Sequence, residues 1–590
     1  MSTRFFTAAR TTTAVLLAVS AAGLNASDHK LSPEFANVAP DASVDVIVKY
    51  RQAPTPAHHS RIIARGGEFK QSLDIIRAAH YSILGGQLEA LSNDPDVESI
   101  SPDHPVYATW KPVSSVIYTG NPDFGYKTVG ADLAKTVFGV DGTGVGIAMI
   151  DSGILDSDDL KDAQGHSRIV YKASLIPGVN PDDHYGHGTH VSGILAGNGA
   201  ESQYNSTYLI QGIAPNAKII SLKALNDSGA GTDSAVIAAI QKAISLKAQY
   251  NIRVINLSLG RPVSASYTAD PLCQAVQQAW QAGIVVVVAA GNNGRDNSLG
   301  TSGYGTITAP GNSPYVITVG AMNTSGTRTS TDDKIASYSS KGPTSIDHIV
   351  KPDLVAPGNR IISLASTASL LEQTYPGNVV ARSVYSTSGG TGASKDYYEL
   401  SGTSMAAPMV AGAAALMLQR NPSLTPDQVK ARLMKSATKF APGFSTVVDP
   451  SSGLQFTSEY DIFTIGAGYL NIPAALSNTD AFTGLALSPT ATFDAATNTV
   501  QLQPSATFAV WGTGTLSGTM AVWGTMAVWG TSVFSGADFA VWGTGSVWGT
   551  FAVWGTSTPQ AVMAIWGTGA VWGTGVSAGE ATAIAINGDN

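Results

Sequence analysis

Four runs of nearly continuous apolar residues place the strongest constraint on how this chain can fold. They alternate with helical patterns along residues 116–475 and cover 144–150, 218–222, 254–259 and 283–288. A strand with one face in water alternates apolar and polar side chains, whereas a strand buried on both faces is apolar almost throughout. The runs therefore predict an α/β fold in which helices cover both faces of a parallel sheet.

The composition agrees with a packed protein and excludes several classes. Of the 590 residues, 44% are hydrophobic and 13% are charged, which is too apolar for a disordered chain. Lysine and arginine number 34 against 42 acidic residues, a net charge of −8 without a dense basic cluster. We therefore expect no nucleic-acid binding. The single cysteine, Cys273, excludes an intrachain disulfide and a thiolate-based zinc site.

The first 26 residues have the pattern of a secretory signal peptide. Arg4 and Arg10 precede an uncharged stretch over 11–24, and Leu24-Asn25-Ala26 offers a small-residue cleavage site. The apolar run is much shorter than the roughly 20 residues that span a bilayer, which argues against the alternative of a membrane anchor. We expect a secreted protein, extracellular or associated with the cell surface.

Two further regions flank or interrupt the apolar runs. Residues 44–107 predict a small α+β unit, with β-like runs at 44–50 and 97–106. Between these runs, apolar residues at helical spacing predict helices within 69–79 and 82–92. The segment Ile362–Lys395 is rich in Ser, Thr and Gly and predicts a long surface insertion.

A short repeat dominates the C-terminal region, residues 478–590. Trp-Gly-Thr occurs eight times from Trp511 to Trp572, mostly at steps of six or twelve. Six is even, so an unbroken strand places every tryptophan on one face, whereas a helix turns each about 120° from the last. The repeat predicts a β-rich tail. Three roles stay open: packing between repeats, stacking on sugars or a hydrophobic polymer, and export or surface retention.

Three short segments carry the residue types of nucleophilic catalysis. Asp151 closes the run 144–150, and catalytic groups collect at the carboxyl ends of parallel strands. His187 opens a stretch of small residues, and Ser404 begins an alanine-rich helix whose positive end meets the hydroxyl. Taken singly, Ser404 is explained as an N-cap serine, and His187 is explained as one half of a metal-binding pair with His190. Together, in the order Asp, His, Ser, they indicate a catalytic triad.

The motifs resemble the subtilase family, the subtilisin-like serine proteases of peptidase family S8. The resemblance rests on Ile150-Asp151-Ser152-Gly153, on His187-Gly188-Thr189-His190-Val191 and on Gly402-Thr403-Ser404-Met405-Ala406-Ala407-Pro408. It implies a serine endopeptidase domain over residues 111–477 that forms an acyl-enzyme through Asp151, His187 and Ser404. The alternative is a surface-associated binding or structural protein built on an inactive subtilase scaffold.

The resemblance also assigns the residues around the scissile bond. Asn292, after the run 283–288, would share the oxyanion hole with the nucleophile's backbone N–H. The predicted substrate-binding residues are Ser258, Leu259, Gly260, Gly229, Ala230, Gly231, Ala290, Gly291 and Thr308. These segments carry no charge, so we expect an apolar or aromatic residue before the scissile bond.

An inhibitor-I9-like propeptide over residues 27–110 is a further implication. It would serve as intramolecular inhibitor and chaperone and be cleaved between about Tyr107 and Ile117, making the precursor a zymogen that processes itself. The other partners of the whole protein would be protein or peptide substrates, and the C-terminal repeats would contact a cell surface or a polymer. Catalysis needs no cofactor. Structural calcium stays open, with Asp156, Asp158 and Asp159 near the active-site strand and the metal ligands unknown.

Overall fold

The computed structural model describes residues 30–109, 125–203, 208–298, 300–386, 393–439, 443–449, 453–494 and 499–503, and five short strands beyond residue 519. The predicted signal peptide and most of the tryptophan repeats lie outside the described residues. The helices and strands, in chain order, are β1 Ser43–Tyr50, α1 Pro56–Ala64, β2 Glu68–Leu73, β3 Ala78–Leu84, α2 Leu88–Ser92, β4 Val97–Pro102, β5 Pro105–Ala108, α3 Gly125–Thr128, α4 Asp132–Phe138, β6 Gly146–Asp151, β7 Ile169–Ser174, α5 His187–Ala196, β8 Lys218–Lys223, β9 Ala230–Thr232, α6 Asp233–Tyr250, β10 Ile252–Leu257, β11 Leu259–Gly260, α7 Pro271–Gln281, β12 Val285–Ala289, β13 Ile317–Asn323, β14 Lys334–Ile335, β15 Leu354–Pro357, β16 Ile361–Leu364, α8 Leu370–Thr374, β17 Val379–Ala381, α9 Arg382–Tyr385, β18 Ala393–Leu400, α10 Thr403–Arg420, α11 Pro426–Ser436, β19 Phe444–Val448, β20 Gln455–Glu459, α12 Ile472–Ser477, β21 Thr490–Asp494, β22 Thr499–Gln503, β23 Met520–Trp523, β24 Ala527–Gly530, β25 Phe534–Ser535, β26 Ala540–Val541 and β27 Val547–Trp548.

Residues 30–109, hereafter the N-terminal unit, form a βαββαβ arrangement. Its sheet has the strand order β2-β3-β1-β4, and β1 pairs antiparallel with both β3 and β4. Side chains such as Val46, Tyr81 and Ile100 give the unit a hydrophobic core of its own. The last strand, β5, leaves this sheet and joins the rest of the molecule.

The two helices predicted within residues 69–79 and 82–92 are wrong for most of their length. β2 and β3 form an antiparallel pair there, and the α-helix covers only Leu88–Ser92. Along β3, Ala79, Tyr81 and Ile83 are buried at every second position. A short apolar pattern fits either period, and pairing with β1 and β2 decides in favour of a strand.

The central sheet has eight strands in the order β14-β13-β12-β10-β6-β8-β7, with β15 also paired to β13. Neighbouring strands are parallel except at β14. The four apolar runs correspond to β6, β8, β10 and β12, and every residue of β6 and β12 is buried. The predicted α/β fold with a parallel sheet is therefore confirmed.

Two pairs of helices cover this sheet. Helices α5 and α10 pack against each other, and α10 lies along β10, β12 and β13. Helices α6 and α7 form the second pair, with α6 on β6, β8 and β10 and α7 on β12. The long α10 is buried from Thr403 to Leu418 and forms the centre of the molecule.

Three segments complete the described peptidase region. The predicted surface insertion, residues 362–395, contributes to a small sheet in the order β16-β18-β17; its Tyr385 is buried, as is Tyr397 further along β18. A hairpin follows, made of β19 and β20. Beyond residue 477, the predicted end of the peptidase domain, the chain continues along it: Ala491 N–H donates to the His348 carbonyl at 2.8 Å.

The part of the chain described beyond residue 519 consists of short strands. β23 pairs antiparallel with β24, and β26 pairs with β27. Most of the repeat region lies outside the described residues, so a β-rich tail stays a prediction. Within the part of the chain that the structure describes, no helix is both long and apolar enough for a membrane span.

Candidate active site

Asp151 and His187 meet at the carboxyl edge of the central sheet. Asp151 is the last residue of β6, and His187 is the first residue of α5. Both side chains are buried, and His187 Nδ1 lies 2.7 Å from Asp151 Oδ1. Because Nδ1–H donates to the carboxylate, the ring's other nitrogen, Nε2, is the one left for proton transfer.

Close backbone contact brings the start of α5 against the end of β6. A β-carbon added to Gly188 would lie 2.1 Å from the Gly153 carbonyl oxygen, so only glycine fits there. The Gly188 N–H donates to Ser152 Oγ at 2.9 Å. These contacts explain why both motifs contain small residues next to Asp151 and His187.

Asp183, which the sequence motifs did not reveal, fixes the turn that leads into α5. Its carboxylate accepts hydrogen bonds from Gly186 N–H at 2.8 Å, from Ser152 Oγ at 2.9 Å and from Thr189 Oγ1 at 2.7 Å. Burial raises the pKa of Asp183 above its ordinary value, although these donors act in the opposite direction. The only sequence signal is an acidic residue four positions before His187.

His190 supports the fold on the other side of α5. Its Nε2 lies 3.1 Å from the Ile361 carbonyl and 3.0 Å from that of Tyr398, so it ties β16 and β18 to α5. Burial, with a contribution from His187, lowers the pKa of His190 to about 3. His190 is thus a neutral structural residue, and the alternative of a metal pair with His187 finds no support.

Ser404 lies in the first turn of α10, where the helix is fully buried. Pro408, four residues later, has no N–H to donate to the Ser404 carbonyl. Ser258 Oγ donates to that carbonyl instead, at 2.9 Å, while Ser404 Oγ lies 3.0 Å from the Ser258 carbonyl. Ser258, a predicted substrate-binding residue, therefore also fixes the start of the helix that carries Ser404.

Asn292 lies beside Ser404 in a fixed orientation. Its Oδ1 accepts hydrogen bonds from Thr403 N–H at 2.9 Å and from Thr403 Oγ1 at 3.0 Å. Two donors to Oδ1 identify it as the carbonyl end of the amide, so Nδ2 faces the other way. Nδ2 donates to the carbonyl oxygen of Thr109 at 2.5 Å.

Thr109, the last described residue of the N-terminal unit, occupies the space between Asn292 and Ser404. Besides the bond from Asn292, its carbonyl oxygen accepts one from Ser404 Oγ at 2.8 Å. The Thr109 hydroxyl also contacts Ser404 Oγ at 2.6 Å. A carbonyl held at once by a serine hydroxyl and by an amide donor has the surroundings of a reacting acyl group.

The predicted substrate-binding edges hold the chain that leads to Thr109. β5 pairs antiparallel with β9, with Val106 opposite Gly231 and Tyr107 opposite Ala230. On its other side β5 pairs with β11, with Ala108 opposite Leu259. An extended peptide thus enters as the middle strand of a three-stranded sheet. Gly229 contributes its carbonyl, which accepts from Ala108 N–H at 3.1 Å.

Thr308, which the sequence placed near the base of the pocket, contacts the segments that carry Gly260 and Gly291. Its N–H donates to the Ala290 carbonyl at 3.0 Å. A β-carbon on Gly260 would lie 2.6 Å from Thr308 Oγ1, and one on Gly291 would lie 2.8 Å from its methyl group. The structure thus brings Ala290, Gly291, Gly260 and Thr308 together into one wall.

The acidic residues considered for calcium lie apart from this site. Asp159 is buried, and it accepts hydrogen bonds from the Tyr397 hydroxyl at 2.9 Å and from Glu201 N–H at 2.7 Å. Burial raises the pKa of Asp159 to about 6. Asp158 pairs with Lys161. Among the described residues, no three acidic, histidine or cysteine side chains group as a metal site, and calcium stays open.

Comparison with known proteins gives the family. The family model described as "Subtilase family" matches residues 142–454. Serine protease AprX of Bacillus subtilis (strain 168) is 41% identical over 309 residues, which cover 50% of this chain and 62% of that protein. Subtilisin DY of Bacillus licheniformis is 36% identical over 354 residues, which cover 60% of this chain and 97% of that protein.

A solved structure shares the fold. The structure of fervidolysin from Fervidobacterium pennivorans, a keratinolytic enzyme related to subtilisin, matches with a TM-score of 0.52 at 22% identity. The match covers 75% of this chain and 62% of that one, and it speaks for the fold alone. The motif resemblance, the family match and the relatives agree. The chain therefore belongs to the subtilase family, the subtilisin-like serine proteases.

Proposed function

We propose that this chain is an exported serine endopeptidase, made as a zymogen that cleaves itself between Thr109 and Trp110. The observation that carries the proposal is the Thr109 carbonyl, which accepts hydrogen bonds from both Ser404 Oγ and Asn292 Nδ2. Thr109–Trp110 lies within the cleavage interval expected from the sequence, although Thr109 is not the apolar or aromatic residue that the sequence led us to expect before the scissile bond. Export is supported by the pattern of the first 26 residues.

In the proposed mechanism, His187 takes the Ser404 hydroxyl proton as Ser404 Oγ attacks the carbonyl carbon. Asp151 holds the imidazole through Nδ1 and stabilises its positive charge. Asn292 Nδ2 stabilises the oxyanion. The C–N bond then breaks as His187 returns the proton to the leaving amine. Water, activated by the same imidazole, hydrolyses the acyl-enzyme.

The N-terminal unit would stay bound after cleavage and inhibit the enzyme. Its Asp103 accepts hydrogen bonds from Ser234 N–H at 2.8 Å and from Ser234 Oγ at 2.7 Å at the start of α6. Its Ile75 N–H donates to Gln241 Oε1 in the same helix at 3.1 Å. Together with β5 in the substrate groove, these contacts support a role as inhibitor and as template for α6.

A covalent label tests the proposed function directly. Purified, processed protein is treated with a fluorophosphonate, which reacts with activated serines, and is then assayed on casein. We expect loss of hydrolysis, a single label on Ser404, and a mature N-terminus at Trp110. Labelling of another serine, or an active protein that the reagent leaves untouched, would contradict the proposal. The scaffold alternative predicts neither label nor hydrolysis.

Replacing Asn292 by alanine should lower kcat by about 10²- to 10³-fold with little change in KM. The magnitude is the one known for the oxyanion-hole asparagine of subtilisin, a relative. The hydrogen bond from Nδ2 strengthens as negative charge develops on the carbonyl oxygen. Its loss therefore destabilises the transition state more than it weakens substrate binding. Steady-state kinetics on a peptide substrate would measure kcat and KM of the variant. Asn216→Ala, on the exposed surface, is the matched control, and an equal loss there would refute the assignment.

The N-terminal unit also predicts substrate preference. Val106 is fully buried in the groove, whereas Tyr107 is 51% exposed. Burial of a valine side chain is worth about 1.5–3 kcal/mol, a factor of about 10–150. In peptides built on Val-Tyr-Ala-Thr, serine in place of the valine should lower kcat/KM by that factor. Serine in place of the tyrosine should change kcat/KM less than threefold. A larger loss at the tyrosine than at the valine would contradict the binding of substrates in the manner of β5.

His104 makes the stability of the precursor depend on pH. Its Nδ1 lies 3.3 Å from Asp233 Oδ2, and its Nε2 lies 3.0 Å from Glu34 and 3.4 Å from Ser264 Oγ. Burial and nearby Arg261 act to lower the pKa of His104, but the hydrogen bonds with both carboxylates raise it above its ordinary value. Its contribution is thus complete below about pH 6.5 and is lost as pH rises through the raised pKa.

We therefore expect His104→Gln to destabilise an uncleavable Ser404→Ala precursor more at pH 6 than at pH 8.5. Thermal unfolding of the two proteins across this range measures the difference. A difference that is constant with pH, or that grows toward alkaline pH, would contradict the role of the protonated imidazole.

A further inference from the structure

The loop that carries Asn292 is fastened along one side to residues 337–341. The Gly294 N–H donates to the Tyr338 carbonyl at 2.8 Å, and the Ser340 N–H donates to the Gly291 carbonyl at 3.0 Å. Asn293 N–H donates to Ser340 Oγ at 3.0 Å. A β-carbon on Gly294 would lie 2.1 Å from the Ser339 carbonyl oxygen, so the two segments are in close contact.

Arg295 closes this loop, three residues after Asn292, with a buried guanidinium group. The side chain is 3% exposed. Its Nε donates to Ser337 Oγ at 2.6 Å, which ties the end of the loop to the same neighbouring segment. A buried charge of this kind persists only with a compensating partner, because its desolvation is costly.

The partner comes from the β19–β20 hairpin. Arg295 Nη1 donates to Asp449 Oδ2 at 2.8 Å, and the guanidinium lies 4.6 Å from the ring centre of Phe456. Asp449 directly follows β19 and is itself held by the hairpin, since its N–H donates to the Leu454 carbonyl at 2.8 Å. The hairpin thus reaches the oxyanion loop through a buried ion pair and a cation–π contact.

We propose that Arg295 is a positioning residue for Asn292, which it holds in place through Ser337 and through the ion pair with Asp449. The proposal rests on the proposed function, in which Asn292 binds the oxyanion. An oxyanion donor displaced by a fraction of an ångström loses much of its effect, because its value depends on a fixed approach to the reacting oxygen. The β19–β20 hairpin thereby becomes part of the support of the active site.

A double-mutant cycle tests this role, with Arg295→Met and Asn292→Ala made singly and together in the processed enzyme. We expect Arg295→Met to lower kcat about tenfold with KM changed less than twofold. In the Asn292→Ala background the same substitution should cost less than twofold, because the group that it positions is gone. Arg295→Lys, which keeps the charge and loses the planar fork, should recover part of kcat.

Other variants keep the test decisive. If Arg295→Met does not fold, Asp449→Asn and Arg295→Lys replace it in the same cycle. Arg253→Met is the control: Arg253 lies near the amino end of β10 and binds the carbonyls of Pro422 and Leu424. It should change thermal stability without coupling to Asn292.

Equal losses of kcat in both backgrounds, or a lowered melting temperature with unchanged kcat, would overturn the role of Arg295 alone. If the wild-type protein shows no hydrolysis, or hydrolysis that Ser404→Ala leaves unchanged, the proposed function is overturned as well.

Discussion

Replacing Ser404 by alanine is expected to abolish both hydrolysis of casein and cleavage of the chain at Thr109–Trp110. The loss in kcat should approach about six orders of magnitude, the size known for the nucleophile of subtilisin. The Ser404 hydroxyl contacts the Thr109 carbonyl directly, so one substitution removes the nucleophile from both reactions. The purified variant should run at the full precursor mass on a gel, and mass spectrometry should find no peptide that begins at Trp110.

The fold should survive this change. Alanine is smaller than serine and favours a helix, and Ser404 lies in the first turn of α10. Circular dichroism and thermal unfolding would establish that the precursor is folded. Ser245→Ala, on the exposed side of α6, serves as the matched control and should mature normally. Maturation of pure Ser404→Ala would contradict self-processing, and casein hydrolysis by it would contradict the whole proposed mechanism.

Replacing Asp151 by asparagine is expected to lower kcat by about 10⁴-fold, the size known for this change in another Ser-His-Asp triad. The carboxylate accepts from His187 Nδ1 and from Ser152 N–H through the same oxygen, Oδ1. The amide of asparagine can donate a hydrogen bond to Nδ1, which places the ring proton on Nε2. A protonated Nε2 can no longer accept the Ser404 proton. Side-chain volume hardly changes, so the geometry should persist.

The measurement is kcat on a peptide substrate from neutral to alkaline pH, together with the binding of a peptide aldehyde. Asp156→Asn is the control, since that carboxylate is 66% exposed and lies outside the site. Activity near wild type in Asp151→Asn would remove Asp151 from the triad. An equal loss in Asp156→Asn would indicate a general charge effect.

Much of the catalytic domain could be predicted from local sequence. The apolar runs that became β6, β8, β10 and β12 are buried on both faces, and such strands have a composition that few other elements share. The glycine beside His187 was equally informative, because Gly188 stands where the backbone just after β6, at Gly153, leaves no room for a side chain. Small residues next to a functional side chain thus indicate close backbone contact from the sequence alone.

The N-terminal unit shows where such reasoning fails. The pattern of residues 69–79 predicts a helix, yet Phe69 lies opposite Tyr81 in an antiparallel pair. Over so few residues the helical and strand periods overlap, and the choice depends on a partner strand elsewhere in the chain. Asp183 and Arg295 were missed for a related reason. Each is one charged residue among many until burial and partners such as Thr189 and Asp449 distinguish it.

The sequence by itself determined the parallel sheet and pointed to Asp151, His187 and Ser404 as candidate catalytic residues, because both signals lie in short stretches whose composition reflects burial and close packing. Only the tertiary structure decided which carbonyl group contacts Ser404. That choice depends on β5 pairing with β9 and β11, which lie more than a hundred residues further along the chain. Contacts between such distant segments leave no periodic pattern in either one, so their partners become known only when the chain is folded.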